Sequence, residues 1–192
     1  MDQSELLRHL VETMEALGIA YMIAGSQASI YYGEPRFTQD IDVVADLHVS
    51  HVPGLLARFP ADQFCIREEA VREAIRTEGQ FNIIHPAAGL KIDVMLKKDA
   101  PYDRAQFERR QRKSIAPDLA AYLAMPEDII LYKMLYFSEG GSERHLRDIL
   151  GMLRISGAGV DRTYVAEWAA RLGLGTIWES LQRQAPPSEL IE

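Results

Sequence analysis

The sequence predicts an α/β (α+β) fold, in which a small mixed sheet with flanking helices is followed by a helical tail. Three observations indicate it. Short apolar runs typical of buried strands, IAYMIAG and DIDVVA, alternate with helix-like segments in the first half of the chain. QFNIIHP and LKIDVMLK, separated by Ala87, Ala88 and Gly89, have the pattern of an antiparallel hairpin. From Pro126 onward the apolar spacing is helical.

Each predicted element has its own local signals. The first helix, residues 4–17, has Ser4 as its expected N-cap and Gly18 as its stop. The strand IAYMIAG breaks at Gly25, and Ser26 is expected to cap a short second helix. Further helices are expected near 53–59, 67–77 and after Pro101, and in the tail near 127–138, 143–155, 161–172 and 175–183.

Composition and length exclude several classes of protein. The 192 residues are 47% hydrophobic and 26% charged, which is typical of a globular protein and excludes disorder, collagen-like repeats and coiled-coil rods. We expect an α/β region at 1–118 and a helical C-terminal region at 119–192. The single Cys65 excludes an intramolecular disulfide framework and fits a reducing compartment. The N-terminus MDQSELLRHL is unlike a signal peptide, and no stretch approaches the roughly 20 apolar residues of a membrane span. We therefore expect a cytoplasmic protein with no membrane partner.

Charge is unevenly distributed. The chain has 28 acidic and 21 basic residues, a net charge of -7, which argues against broad coating of nucleic acid. Residues 91–113, however, contain eight basic and four acidic side chains. This basic stretch is either a contact for phosphate groups or a solvated helix face.

Three aspartates carry the predicted chemistry. Asp40 and Asp42 lie two apart on a predicted strand, so both side chains leave the same face. At a separation of about 6.6 Å two such charges repel by about 2.5 kcal/mol at an effective dielectric of 20. A divalent cation such as Mg²⁺ would turn that repulsion into ligation. Asp93, at the centre of the apolar strand LKIDVMLK, is the candidate third acid of a metal clamp. For an isolated Asp-x-Asp the alternative is a turn or a solvated strand face.

Gly25 and Ser26 stand where the first strand passes into a helix. Glycine lets the backbone approach a phosphate closely, and a helix N-terminus offers N–H groups and the positive end of the dipole. The alternative is that Ser26 is a routine N-cap.

The stretch AGSQASIYYGEPRFTQDIDVV resembles the signature of the DNA polymerase β-like nucleotidyltransferase superfamily. In that signature Gly followed by Gly or Ser precedes a spacer and an Asp-x-Asp flanked by apolar residues. Gly25 and Ser26 match the first element, and Asp40 and Asp42 match the metal-binding acids. Asp93 in KIDV fits the third acid by its order and its strand context.

Two further motifs resemble those of one particular group within this superfamily. The run Gly33, Arg36, Thr38, Asp40, Asp42 is similar to the G-x-x-R-x-T-x-D-x-D form of the abortive-infection (AbiEii-like) toxin nucleotidyltransferases and uncharacterised relatives. The tail segment MPEDIILYKMLYFSEGGSERHLRDIL is similar to that group's P-x-D-L-I-x-x-K motif and the basic and R-D-I elements after it. The tail positions that match are Lys133, Arg144 and Asp148.

The resemblance implies a nucleotidyltransferase core that uses Mg²⁺ or Mn²⁺ and a nucleoside triphosphate. It implies transfer of a nucleotidyl group to a hydroxyl of RNA (tRNA) or protein, and a toxin of a toxin–antitoxin pair, with an antitoxin protein as partner, as a sub-hypothesis. The implied catalytic and metal-binding residues are Asp40, Asp42 and Asp93, and the implied nucleotide-binding residues are Gly25, Ser26, Arg36, Lys133, Arg144 and Asp148.

Several of these positions have structural alternatives. Lys133 fits a snorkelling surface lysine on an amphipathic helix as well as a partner of the triphosphate. Arg36 either faces a phosphate or clamps Asp40 or Asp42. Arg144 and Asp148, four apart on one helix, also suit a structural ion pair. Thr38 is expected to order the turn before the strand.

Two competing functions remain. The first is a binding or regulatory protein on the same fold whose activity has lapsed, which the complete set of three acids disfavours. The second is a metal-dependent phosphohydrolase of the haloacid-dehalogenase type. Val44 stands two residues after Asp42, as that type would require, but the acids do not lie in the first β-α unit of the chain.

Overall fold

The computed structural model describes residues 1–185, which pack as two compact units. The first unit comprises Met1–Ser26 and Phe37–Leu123, and the second comprises Gln27–Arg36 and the described chain from Ala124 onward. The strands are β1 (Ala20–Ile23), β2 (Asp40–Asp46), β3 (Gln80–His85), β4 (Leu90–Leu96), β5 (Gln111–Ala116) and β6 (Leu119–Leu123). The helices are α1 (Gln3–Ala16), α2 (Gly25–Tyr32), α3 (Val52–Arg58), α4 (Glu68–Thr77), α5 (Pro101–Arg109), α6 (Pro126–Gly140), α7 (Glu143–Ile155), α8 (Arg162–Arg171) and α9 (Gly175–Gln184).

The first unit is built on a six-stranded mixed sheet with the strand order β3-β4-β2-β1-β6-β5. Strands β2 and β4 pair in parallel, as do β1 and β6, and the other neighbours are antiparallel. The predicted mixed sheet is confirmed, and so is the predicted hairpin, which is β3 paired with β4. Two adjacent strands inside the sheet, β2 and β4, carry the candidate acids.

Buried and half-buried side chains alternate strictly along β2 and β4. On β2 the residues Ile41, Val43 and Ala45 are fully buried, and the residues between them are half-buried. On β4 Ile92 and Val94 are likewise fully buried on either side of Asp93. Because the side-chain period of a strand is two, burial of these apolar residues turns the intervening side chains, which include the three acids, to the other face.

The hairpin of β5 and β6 is the element that the sequence pattern missed. The sequence predicts only helix between Pro101 and the tail, whereas residues 111–116 and 119–123 pair as antiparallel strands. Strand β5 lies at the edge of the sheet and has no fully buried residue, so it lacks the apolar alternation that marks a half-buried strand.

Two helix starts also differ from the prediction. Helix α1 is capped by Asp2 and not by Ser4: the Asp2 carboxylate accepts from the Glu5 N–H at 2.9 Å, and the Glu5 carboxylate accepts from the Asp2 N–H at 2.7 Å. This reciprocal capping box satisfies two N–H groups, which a lone Ser4 would not. Helix α2 begins at Gly25, so Ser26 lies inside its first turn and is not its cap.

The second unit is helical, as predicted for the tail. Helix α6 is its most buried element, with Ile130, Leu131 and Met134 fully enclosed. The predicted tail helices agree with α6 to α9 to within about two residues at each end. Among residues 1–185, no helix combines the length and the apolar character that crossing a bilayer requires.

Candidate active site

The parallel register of β2 and β4 brings the three predicted acids to one face of the sheet. Asp42 pairs directly with Asp93, and Asp40 pairs with Lys91. Directly paired residues of neighbouring strands share a face, and so do residues two apart on one strand. Asp40, Asp42, Lys91 and Asp93 therefore form one cluster of side chains.

The start of α2 contacts the Asp42 carboxylate. The Ser26 N–H donates to Asp42 Oδ2 at 3.1 Å, and the Ala24 N–H donates to the Asp42 carbonyl at 2.9 Å. Gly25 has a φ of +53°, and a Cβ built on it would lie 2.0 Å from Asp42 Oδ2. Glycine is therefore required here for two reasons: its backbone is left-handed, and the carboxylate occupies the space of a side chain.

Asp93 is held by two residues that the sequence reasoning did not assign to the site. Lys91 Nζ lies 2.8 Å from Asp93 Oδ2 and 3.7 Å from Asp40 Oδ1. The Asn82 amide, with its nitrogen turned toward the carboxylate, donates to Asp93 Oδ1 at 2.7 Å. The hydrogen bond to Asp93 raises the pKa of the Lys91 ammonium, against the effect of its partial burial. The signal for Lys91 was its position two residues before Asp93, which places both on one face.

The donor set fits a hard divalent cation in its chemistry. Mg²⁺ prefers carboxylate oxygens, and Asp40, Asp42 and Asp93 supply them from two adjacent strands. The position of the Lys91 ammonium between Asp40 and Asp93 shows that a cation is accommodated there. Within residues 1–185, however, no three His, Cys, Asp or Glu side chains already converge as a metal site. A metal would be held by these three acids only after side-chain rearrangement.

In the second unit, Asp148 joins two of the predicted basic residues. Arg36 binds it through two parallel hydrogen bonds of 2.9 Å each, and Lys133 Nζ lies 2.6 Å from Asp148 Oδ2. Burial acts to raise the pKa of Asp148, but the hydrogen bonds from Arg36 and Lys133 outweigh it and hold the pKa below its ordinary value. Two cations thus share one carboxylate, whose side chain is 9% exposed.

The structure excludes two of the structural alternatives considered for Lys133 and Arg144. Lys133 is 5% exposed and is therefore not a snorkelling surface lysine. Arg144 is exposed, and in the described part of the chain the cationic partners of Asp148 are Arg36 and Lys133, so the helical ion pair of Arg144 with Asp148 is not formed. The carboxylate that Arg36 clamps in bidentate geometry is Asp148.

Thr38 orders the segment before β2, as expected. Its side chain donates to the Asp40 carbonyl at 3.4 Å, its carbonyl accepts from the Gln3 amide at 2.7 Å, and it is 7% exposed.

The basic stretch 91–113 does not form a single helix face, because it runs through β4, α5 and β5. Several of its cations have carboxylate partners at 3.1 to 3.3 Å, in the pairs Lys97–Asp46, Arg104–Asp99 and Arg112–Glu15.

Comparison with known proteins identifies the fold. No protein-family model and no curated protein matches the sequence. The structure matches the solution structure of the antibiotic-resistance factor ANT(2'')-Ia with a TM-score of 0.64 and 14% identity, over 96% of this chain and 98% of that chain. It matches the lincomycin-bound crystal structure of the lincosamide antibiotic adenylyltransferase LnuA with a TM-score of 0.53 and 15% identity, over 81% of this chain and 98% of that chain. At these identities the matches establish the fold, and the chain has a nucleotidyltransferase fold.

Proposed function

We propose that this chain is a metal-dependent nucleotidyltransferase that transfers a nucleotidyl group from a nucleoside triphosphate to a hydroxyl of RNA, such as tRNA, or of protein. One observation carries the proposal. The register that sets Asp42 beside Asp93, with Asp40 on the same face, gathers three carboxylates in a chain of nucleotidyltransferase fold. Three like charges on one face are costly unless a cation neutralises them.

The proposed reaction forms a bond between the acceptor oxygen and the α-phosphorus and breaks the bond from that phosphorus to the bridging oxygen, so that pyrophosphate leaves. Such transfers depend on positioning and charge neutralisation more than on covalent chemistry. Asp40, Asp42 and Asp93 would hold Mg²⁺ or Mn²⁺, which would supply positive charge for the phosphates. Asp93 would either accept the proton of the acceptor hydroxyl or bind the ion that acidifies it. Gly25 and Ser26, at the start of α2, are the proposed phosphate contacts, Gly25 through its backbone N–H and Ser26 through its hydroxyl.

Four residues of the second unit are also proposed to bind nucleotide: Arg36, Lys133, Arg144 and Asp148. Arg36 and Lys133 are the proposed phosphate-binding cations, and Asp148 holds both in place through the contacts described above. Arg144 is exposed and is the member whose nucleotide-binding role has the least structural support.

Calorimetric titration of the protein with each non-hydrolysable nucleoside triphosphate, in the presence and absence of Mg²⁺, tests the metal site. The variant Asp42→Asn keeps the size of the side chain and removes its charge, and we expect it to weaken metal-dependent nucleotide binding at least about tenfold. The matched control is Asp46→Asn, at the far end of the same face of β2. Equal binding by wild type and Asp42→Asn would contradict the metal assignment.

Labelling identifies the acceptor. Each α-³²P-labelled nucleoside triphosphate is incubated with the protein and with one acceptor at a time: total tRNA, a protein extract or a lincosamide. Label on tRNA or protein, lost in Asp42→Asn, supports the proposal. Label found only on a small molecule would show that the acceptor is neither RNA nor protein. For the toxin hypothesis, expression is expected to arrest growth and Asp42→Asn to relieve the arrest.

The second candidate is a binding protein on the same fold whose activity has lapsed. The observation that favours it is the Lys91 ammonium, which already neutralises Asp40 and Asp93 within the protein itself. Nucleotide binding with no label on any acceptor would support this alternative.

A further inference from the structure

Lys91 is a basic side chain that forms salt bridges with two members of the acid cluster. It precedes Asp93 by two residues on β4 and is paired in register with Asp40 on β2. Its ammonium contacts the carboxylates of both, at 2.8 Å and 3.7 Å, and its side chain is 34% exposed. The ammonium therefore lies where a cation shared by the two strands would lie.

A second lysine provides an internal comparison. Lys97 follows β4 and lies 3.3 Å from Asp46 at the far end of β2, so it also bridges these two strands, and its side chain is 29% exposed. Lys97 contacts a single carboxylate, and its ammonium also lies over the Phe107 ring. Lys97 thus resembles an ordinary structural ion pair, whereas Lys91 contacts two of the three acids that are candidates for metal ligation.

We propose that Lys91 is a displaceable internal counter-ion, which occupies the cation position in the metal-free protein and competes with the divalent metal for Asp93 and Asp40. This inference rests on the proposed function, because it requires that the three acids bind a metal. A lysine suits the role because its compact charge sits on a flexible stem and can leave without moving the backbone. An arginine, with its rigid planar fork, would be harder to displace.

The inference explains how three carboxylates share one face before a metal arrives. Without Lys91 the mutual repulsion of the acids would oppose folding more strongly, and a divalent ion would not compete with the Lys91 ammonium. Removal of the ammonium is therefore expected to strengthen metal binding, which is the opposite of what removal of a positively charged ligand-positioning residue would do.

Equilibrium binding of Mn²⁺, measured from the electron paramagnetic resonance signal of the free ion, tests the competition. Lys91→Met keeps the apolar stem and removes the charge. We expect it to bind Mn²⁺ about tenfold more tightly than wild type, since a partly buried, hydrogen-bonded ion pair is stronger than an exposed one. The matched control is Lys97→Met, whose charge lies about 20 Å along the strand and beyond the Debye length at physiological salt. Its affinity is expected to stay within about twofold of wild type.

The outcomes separate this inference from the proposed function. Unchanged or weaker binding by Lys91→Met, while wild type binds Mn²⁺, overturns the role of Lys91 and leaves the metal site in place. Equal tightening by Lys97→Met also overturns it, because the effect would then be one of net charge. Failure of wild type and of both variants to bind Mn²⁺ overturns the metal site and this inference together.

A measurement on the wild-type sequence covers the case in which Lys91→Met fails to fold. The chain has five lysines, so reductive ¹³C-methylation, which preserves their charge, gives a simple spectrum. The Lys91 signal is assigned by its loss in Lys91→Arg. Saturating Mg²⁺ is expected to shift the Lys91 signal and to leave that of Lys97 unmoved. A Lys91 signal that does not respond at saturation overturns the displacement.

Discussion

At the scale of single residues, Gly25 explains how the Asp42 carboxylate is positioned. A left-handed backbone at Gly25 turns the chain from β1 into α2 so that the Ser26 N–H meets the carboxylate. The same turn leaves room for Asp42 Oδ2 where any other residue would place its Cβ. The glycine thus acts on the candidate metal ligand directly, in addition to its proposed contact with a phosphate.

Gly25→Ala should reduce stability and metal binding together. The left-handed conformation costs an alanine about 1 kcal/mol, and the added Cβ also displaces the Asp42 carboxylate. Gly18→Ala is the matched control, because Gly18 has a φ of +66° and its Cβ would meet nothing within 4 Å. Chemical denaturation and Mn²⁺ titration of both variants measure the two effects. Equal Mn²⁺ affinity in the two variants would show that Asp42 tolerates the displacement.

At the scale of elements, two helices and the segment before Phe37 are joined by the Asp148 cluster. Lys133 comes from α6, Asp148 from α7 and Arg36 from the end of the segment Gln27–Arg36. Because Lys133 and Asp148 are both nearly enclosed, their contact is stronger than an exposed surface pair. The cluster therefore has a structural role whether or not it also binds nucleotide.

Removing the two ends of the Lys133–Asp148 pair is expected to have unequal effects on stability. Asp148→Asn takes away the carboxylate that two cations share and should lower the free energy of unfolding by about 3 kcal/mol. Lys133→Met leaves the bidentate Arg36–Asp148 pair intact and replaces a buried charge by an apolar chain, so stability should change by less than about 1 kcal/mol. Urea unfolding of both variants measures the difference. If Lys133→Met keeps its stability but loses nucleotide affinity, the proposed phosphate role of Lys133 is supported, whereas unchanged affinity contradicts it.

At the scale of the whole molecule, acid should destabilise the protein in the range where Asp148 titrates. Its pKa is lowered in the folded state, while the unfolded value is about 3.9. Asp148 therefore binds a proton less readily in the folded state than in the unfolded state. The stability that this difference contributes is complete above about pH 4 and is lost as the pH falls through the folded pKa of Asp148.

Urea unfolding at a series of pH values below 5 checks this expectation. Asp148→Asn should flatten the acid limb of the stability curve. Asp118→Asn is the control: the Arg8 hydrogen bond lowers the pKa of Asp118, but that pair is exposed and screened by solvent, so its removal should alter the limb little. An acid limb of the same slope in wild type and Asp148→Asn would contradict the assignment.

What the sequence determined by itself is the part set by short-range periodicity. The alternation in DIDVVA and LKIDVMLK places Asp40 with Asp42, and Lys91 with Asp93, on common faces, because successive side chains of a strand point to opposite sides. Helical spacing likewise predicted α6 to α9. The edge strand β5 was not predicted because its residues are too exposed to show an alternation of apolar and polar side chains.

What only the tertiary structure decided is which faces and charges meet across long stretches of chain. The register that sets Asp42 beside Asp93 joins positions in strands separated by two helices and another strand. The bidentate contact of Arg36 with Asp148 spans 112 residues. No local pattern encodes such pairings, because the free energy that selects them comes from burying the apolar faces of the whole sheet and of the helices together. The sequence therefore identified the acids, and the packed fold determined that Lys91 and Asp93 lie on the face of Asp40 and Asp42 and that Asp148 binds Arg36 and Lys133.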